Sequence, residues 1–165
     1  MSKKAERSRA IRSGIHFGLP SGIITTIGLM VGLHSGTHST AAVVGGLVTI
    51  AIADSLSDSL GIHISKEGEG RASKKEIWLT TVMTLLSKAF IVSSFIIPVL
   101  LFDLTTAILV AIAWGMSILV VISYRMARNR GENPLYVIGE HLGIAILVIV
   151  ITHLAGGWIA RVFAP

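Results

Sequence analysis

The chain of 165 residues contains no cysteine, so disulfides, thiolate metal ligands and cysteine nucleophiles are all excluded. Charge is also scarce. Only 14% of the residues are Asp, Glu, Lys or Arg, against about a quarter in soluble domains. No small-residue cleavage site follows the first apolar stretch, which argues against a cleaved signal peptide. Hydrophobic residues make up 52% of the chain and the mean hydropathy is +0.77. That composition is one of an integral membrane protein. A net charge of +5 with a pI near 10.0 raises nucleic acid as a partner. The basic residues sit mostly in three short clusters between apolar runs, however, which is the pattern of membrane topology and not of nucleic-acid binding.

Five apolar segments, roughly 15–33, 40–64, 77–102, 104–124 and 135–160, are long enough to cross a bilayer, since about 20 helical residues span its core. The expected fold is therefore an all-α integral membrane protein with five transmembrane helices. Residues 1–14 form a basic cytosolic tail and 15–165 a single five-helix membrane domain. Lys3, Lys4, Arg7, Arg9 and Arg12 precede the first span. Lys66, Arg71, Lys74 and Lys75 separate the second and third, and Arg125, Arg128 and Arg130 the fourth and fifth. The alternate loops carry no lysine or arginine, so the positive-inside rule puts the N-terminus in the cytosol and the C-terminus outside. The chain is expected to be multi-pass in the cell membrane or a vacuole-type membrane, with membrane lipid as its surroundings.

Glycines in the first span recur at 14, 18 and 22, then at 28, 32 and 36. Spacing by four lines small residues along one helical face, where another helix can come close. That face serves packing within the chain or, as the sharper expectation, a homodimer through span one.

Polar residues in the apolar runs are the chemically informative ones. Counting about 1.5 Å per residue from the cytosolic ends puts Asp54 and Lys88 near the midplane. Asp58 falls about 10 Å in, Glu140 and His141 about 8 Å in and Ser21 near the same level, with His63 at the cytosolic interface. Carboxylates in hydrocarbon are costly unless paired, protonated or hydrated. Asp54 and Asp58 share a face through their i, i+4 spacing, and Lys88 can balance only one of them. Like charges this close favour uptake of a proton or a divalent cation. Oxygen ligands suit Mg, Ca or Mn, and imidazole beside carboxylate also suits ferrous iron. Plainer roles are a structural Asp54–Lys88 ion pair, an interfacial His63 and a hydrogen-bonded core His141. His34, His38 and His153 lie toward the outer side without ordered metal spacing, and Met30, Met83 and Met116 fill gaps between helices.

"GIITTIGLMVGL" and "GGLVTIAIADSLSDSLGIHIS" resemble the vacuolar iron transporter family of membrane metal/proton antiporters. Members of that family carry Asp-Gly, apolar residues and Thr-Thr in span one. In span two they carry Ala-Asp-x-hydrophobic-Ser-Met-x-hydrophobic-Gly-Glu-Tyr-hydrophobic-Ser. Gly22, Thr25, Thr26, Ala53, Asp54, Ser57, Gly61 and Ser65 match. Five spans, a Pro98 ending span three and glycines in span five extend the likeness in layout. Ser21 stands in place of the family's span-one aspartate, Asp58 in place of its methionine, and Ile62–His63 in place of Glu-Tyr. The family's cytosolic metal-binding helices are reduced here to about a dozen residues, in keeping with a divergent short member.

The resemblance implies a transporter, not an enzyme, that exports divalent metal, Fe²⁺ or Mn²⁺, from the cytosol by proton antiport. Metal and protons are then substrates, with no bound cofactor. Asp54, Asp58, Glu140 and His141 are the metal candidates, Asp58 and Lys88 the proton-coupling and charge-tuning pair, and Ser21 and His63 further pathway candidates. The alternatives are a proton-coupled carrier of a small organic cation and a non-transporting membrane scaffold whose charges only pair helices.

Overall fold

A computed structural model gives the structure of the protein and describes residues 3–163. Among them the chain is helical throughout, without strands: α1 (Lys3–Thr37), α2 (Thr40–Gly68), α3 (Lys74–Ser94), α4 (Ile96–Leu101), α5 (Leu104–Arg130) and α6 (Pro134–Phe163). Five stretches are long and apolar enough to cross a membrane, α3 and α4 together making one of them over Lys74–Leu101. The protein is thus a multi-pass membrane protein, and each apolar segment of the sequence lies on one such stretch.

The helices overrun the apolar segments. Residues 3–14, expected as a tail, are the opening turns of α1, with Ala10 fully buried and Arg9 Nε 2.9 Å from the buried Glu76 of α3. Residues 125–130, expected as loop, complete α5. Lysine and arginine are good helix formers, and continuing the helix keeps backbone groups paired where the chain leaves hydrocarbon.

The breaks follow local chemistry. Ser73 Oγ accepts from the backbone N–H of Glu76 at 3.2 Å and caps α3. Asp103 does the same for α5 through the N–H of Thr106 at 3.0 Å. Gly131, at φ 71°, ends α5 in the left-handed region that glycine tolerates. Asn133 Oδ1 then accepts from Leu135 N–H at 3.0 Å, and Pro134, which has no N–H to leave unpaired, opens α6. Pro98 does not end span three, contrary to expectation. The interruption falls at Phe95, and Pro98 occupies the first turn of α4. Lacking an N–H, Pro98 cannot bond to the carbonyl of Ser94, so the ladder breaks upstream of the proline while the chain continues helical.

Contacts divide the chain into two compact units, one from Met1–Gly22 with Val48–Ser94, the other from Ile23–Leu47 with Phe95–Pro165. In the first unit α1 packs on α3 through glycine. A Cβ at Gly14 would lie 2.7 Å from both Thr80 O and Met83 Cβ, and one at Gly22 2.6 Å from Ile91 Cγ2. Ile52, Leu56, Leu60 and Ile64 form an exposed apolar stripe along α2, suited to lipid. In the second unit Ile23, Ile27, Met30, Phe95 and Leu119 are buried. Gly115 of α5 faces Ile27, Ile23 and Phe95, and Gly28, Gly32 and Gly36 of α1 face Val148, Thr152 and Gly156 of α6. The glycine edge of span one is therefore taken up within the chain at all six positions.

Candidate intramembrane ion-pair site

Three helices of the first unit build the site. Residues four apart on a helix lie about 40° apart around its axis, so Asp54 and Asp58 of α2 project side by side. Lys88 of α3 reaches between them. Its Nζ lies 2.6 Å from Asp54 Oδ2 and also pairs closely with Asp58 Oδ2. From α1, Ser21 Oγ donates to Asp58 Oδ2 at 2.6 Å and accepts from Lys88 Nζ at 3.1 Å. The hydroxyl thereby bridges the ammonium and one carboxylate. The contact to Asp54 is an ion pair without hydrogen-bond geometry, and Asp54 Oδ2 accepts no hydrogen bond among the described residues.

Packing explains how a lysine is sealed here. The Lys88 side chain is 1% exposed, while those of Asp54 and Asp58 are 29% and 24% exposed. A Cβ at Gly22 would lie 3.2 Å from Lys88 Cγ, and one at Gly18 would collide with Ser87 Oγ. Glycine lets α1 lie against the aliphatic stem of Lys88 and leaves no route for water along it. The carboxylates keep an open side and the ammonium does not. An arriving cation therefore meets oxygen first, with Lys88 as fixed charge behind it.

Two carboxylates against one ammonium leave the cluster with a formal charge of −1 when all three are ionised. One proton makes it neutral, as does one monovalent cation, while a divalent ion makes it positive. Lys88 was expected level with Asp54 and able to form an ion pair with it. The structure has it between both aspartates, because the i, i+4 pair falls within reach of a single long side chain.

Two features here escaped the sequence. Ser55 is fully buried, and its hydroxyl has no hydrogen-bond partner among the described residues. The buried Glu76 and its Arg9 partner brace α1 against α3. Neither has a periodic signature, since the one depends on orientation and the other on pairing across 67 positions of chain. His63 is held as well. Thr81 Oγ1 donates to Ile77 O at 2.9 Å, so the 2.9 Å contact with His63 Nδ1 has the imidazole N–H as donor. Its ring also stands edge-on to Trp78 at 4.7 Å.

Glu140 and His141 belong to the second unit. Ser123 Oγ donates to Leu119 O at 2.6 Å and lies 2.7 Å from His141 Nδ1. A carbonyl can only accept, so His141 donates from Nδ1, and in the neutral ring Nε2 keeps the lone pair a metal needs. Glu140, on the same helix, is exposed. In the same unit His34 Nε2 lies 3.2 Å from Thr105 Oγ1, Ser35 Oγ lies 2.6 Å from His153 Nδ1, and the His34 and His38 rings meet edge to face at 5.1 Å. Among the described residues no three His, Asp or Glu side chains converge on one point in a way that would hold a metal ion. No family model, curated protein or solved structure matches the chain.

Proposed function

We propose that the protein is a membrane transporter that exports a divalent metal, Fe²⁺ or Mn²⁺, from the cytosol in exchange for protons. The observation that carries this reading is the Asp54–Lys88–Asp58–Ser21 cluster, whose carboxylates are open on one side and whose ammonium is sealed. A purely structural ion pair needs one carboxylate per lysine. A second carboxylate sharing that lysine inside a candidate span carries a charge the lysine does not balance, which a bound proton or cation would offset.

In this reading Asp54 and Asp58 supply the oxygens that meet the metal, Ser21 adds a neutral oxygen, and Lys88 balances one negative charge throughout. The proton carried in exchange resides on whichever aspartate Lys88 does not compensate. His141, through Nε2, and the exposed Glu140 are the second unit's candidate ligands. The proposal includes the orientation given by the lysines and arginines, N-terminus cytosolic and C-terminus outside, placement in the cell membrane, and a homodimer through span one. The glycine edge of α1 is occupied within the chain, so such a dimer would use its exposed face around Phe17. The sealed Lys88 pairing with both aspartates also fits a non-transporting scaffold, which is the second reading.

Liposomes containing the purified protein and an entrapped metal-sensitive dye separate the two. Under a pH gradient acidic on the destination side, Mn²⁺ should move with the wild type and not with Asp58→Asn. Folded wild-type protein that moves neither Mn²⁺ nor Fe²⁺ under either gradient direction leaves the scaffold reading in place.

A further inference from the structure

We infer that the first unit carries a binding site for a phosphate group where the opening turns of α1 and α3 meet, separate from the carboxylate cluster and independent of the transport reading. A cavity of about 500 Å³ lies there, lined on one side by Lys3, Lys4 and Arg7 of α1 and on the other by Lys75 of α3. Four cationic side chains converge on one concave space. Two carboxylates also reach it, Glu6 and Glu76. Glu76 is buried and paired with Arg9 at 2.9 Å, and four cationic against two anionic side chains leave the lining with a formal charge of +2.

The remaining lining fits the same ligand chemistry. Ser73 supplies a hydroxyl at the rim, on the loop that caps α3, and Leu79 supplies an apolar patch. The volume is in the range of small-molecule sites, about 300–1,000 Å³, far more than a bare anion needs. It accommodates a phosphate together with what it esterifies. Arginine with lysines around a concave wall is the usual protein answer to phosphate, one bidentate donor with several point charges. The position narrows the sources to two. Both helices begin here and run on as candidate membrane spans, so the cavity lies at a bilayer surface, where the phosphate is either that of an anionic lipid headgroup or a soluble one.

Native mass spectrometry of the delipidated full-length protein tests this, with phosphatidylglycerol and phosphatidylcholine as probes and inorganic phosphate as competitor. Removing two basic side chains at a membrane surface, in Arg7→Gln/Lys75→Gln, should weaken phosphatidylglycerol binding by about thirtyfold, with phosphatidylcholine unaffected. The charge-conserving Arg7→Lys/Lys75→Arg should retain most of the binding. Competition by millimolar inorganic phosphate assigns the site to the soluble anion, and selective phosphatidylglycerol binding without such competition assigns it to lipid. Phosphatidylglycerol binding that is unchanged in the neutral double variant overturns the inference. So does binding that is lost equally in the charge-conserving one, because cationic charge at these positions would then not be what recognises the ligand.

Discussion

Lys88→Met leaves the volume of the side chain nearly intact, so the stem still fills the space beside Gly22 and little cavity is opened. What disappears is the single positive charge between Asp54 and Asp58. Removing one partner of a buried pair costs about 3–5 kcal/mol. Here the carboxylates left behind are 29% and 24% exposed, so the lower end applies, about 3 kcal/mol at neutral pH. The asymmetry with the aspartates is the sharper test. Asp54→Asn or Asp58→Asn leaves one carboxylate and one ammonium, a neutral cluster, and in Asp58→Asn the new amide oxygen can still accept from Ser21. Each should cost less than about 1 kcal/mol, the ordinary value of one net hydrogen bond. Reversible unfolding of the protein in mixed micelles at neutral pH, followed by circular dichroism, measures all three. If the aspartate variants prove costlier than Lys88→Met, or if all three cost the same, the excess-carboxylate account is refuted.

Three further outcomes follow from other parts of the molecule. In this cysteine-free chain, Glu69→Cys in the α2–α3 connection should label with an impermeant maleimide only from the cytosolic side and Thr40→Cys only from outside, and the opposite pattern would invert the proposed direction of transport. Gly156→Ala should destabilise by about 1–3 kcal/mol, because its Cβ would collide with the carbonyl of Gly32, whereas Gly157→Ala has nothing within 4 Å and should be neutral or mildly stabilising in the same unfolding assay. Asp103 lies outside the helices, and the Thr106 backbone N–H bonded to its carboxylate holds it below the usual carboxyl range. Because the folded value is the lower one, the cap is fully present above the unfolded value and lost as pH falls through the folded one, so Thr106 amide exchange should accelerate relative to mid-α5 amides on acidification.

Hydrophobic run length made the five membrane stretches readable, because a bilayer demands about 20 apolar residues wherever a helix crosses. The ends were less readable. Nothing in hydropathy shows that residues 3–14 and 125–130 stay helical, since on that measure a charged helix and a charged loop look alike. Periodicity placed Asp54 and Asp58 together, and depth counting brought Ser21 and Lys88 near them. Depth along an axis says nothing about rotation around it, however. It therefore could not show Lys88 between the two aspartates, nor His141 turned onto Ser123. Small-residue spacing showed that span one has a close-packing edge and not what it packs on, which proved to be α3 for the first three glycines and α6 for the last three.

The glycine edge and the charge cluster are one feature seen from two sides. A lysine ammonium in a candidate span is tolerable only when its stem is wrapped and its head is met by carboxylate. Wrapping requires the backbone of α1 to approach Lys88 more closely than a Cβ at Gly18 or Gly22 would allow. The same approach carries Ser21, adjacent to Gly22, to hydrogen-bonding distance of both Lys88 and Asp58. Any side chain that pushed α1 outward at Gly22 would therefore open the seal over Lys88 and withdraw the hydroxyl together. The carboxylates answer to a different constraint. They sit on α2, with the exposed stripe from Ile52 to Ile64 on the same helix, and they retain an accessible edge that the lysine lacks. Tight packing thus fixes the positive charge, while the negative charges stay reachable. One helix packing against another therefore sets both the burial of the ammonium and the exposure of the oxygens beside it.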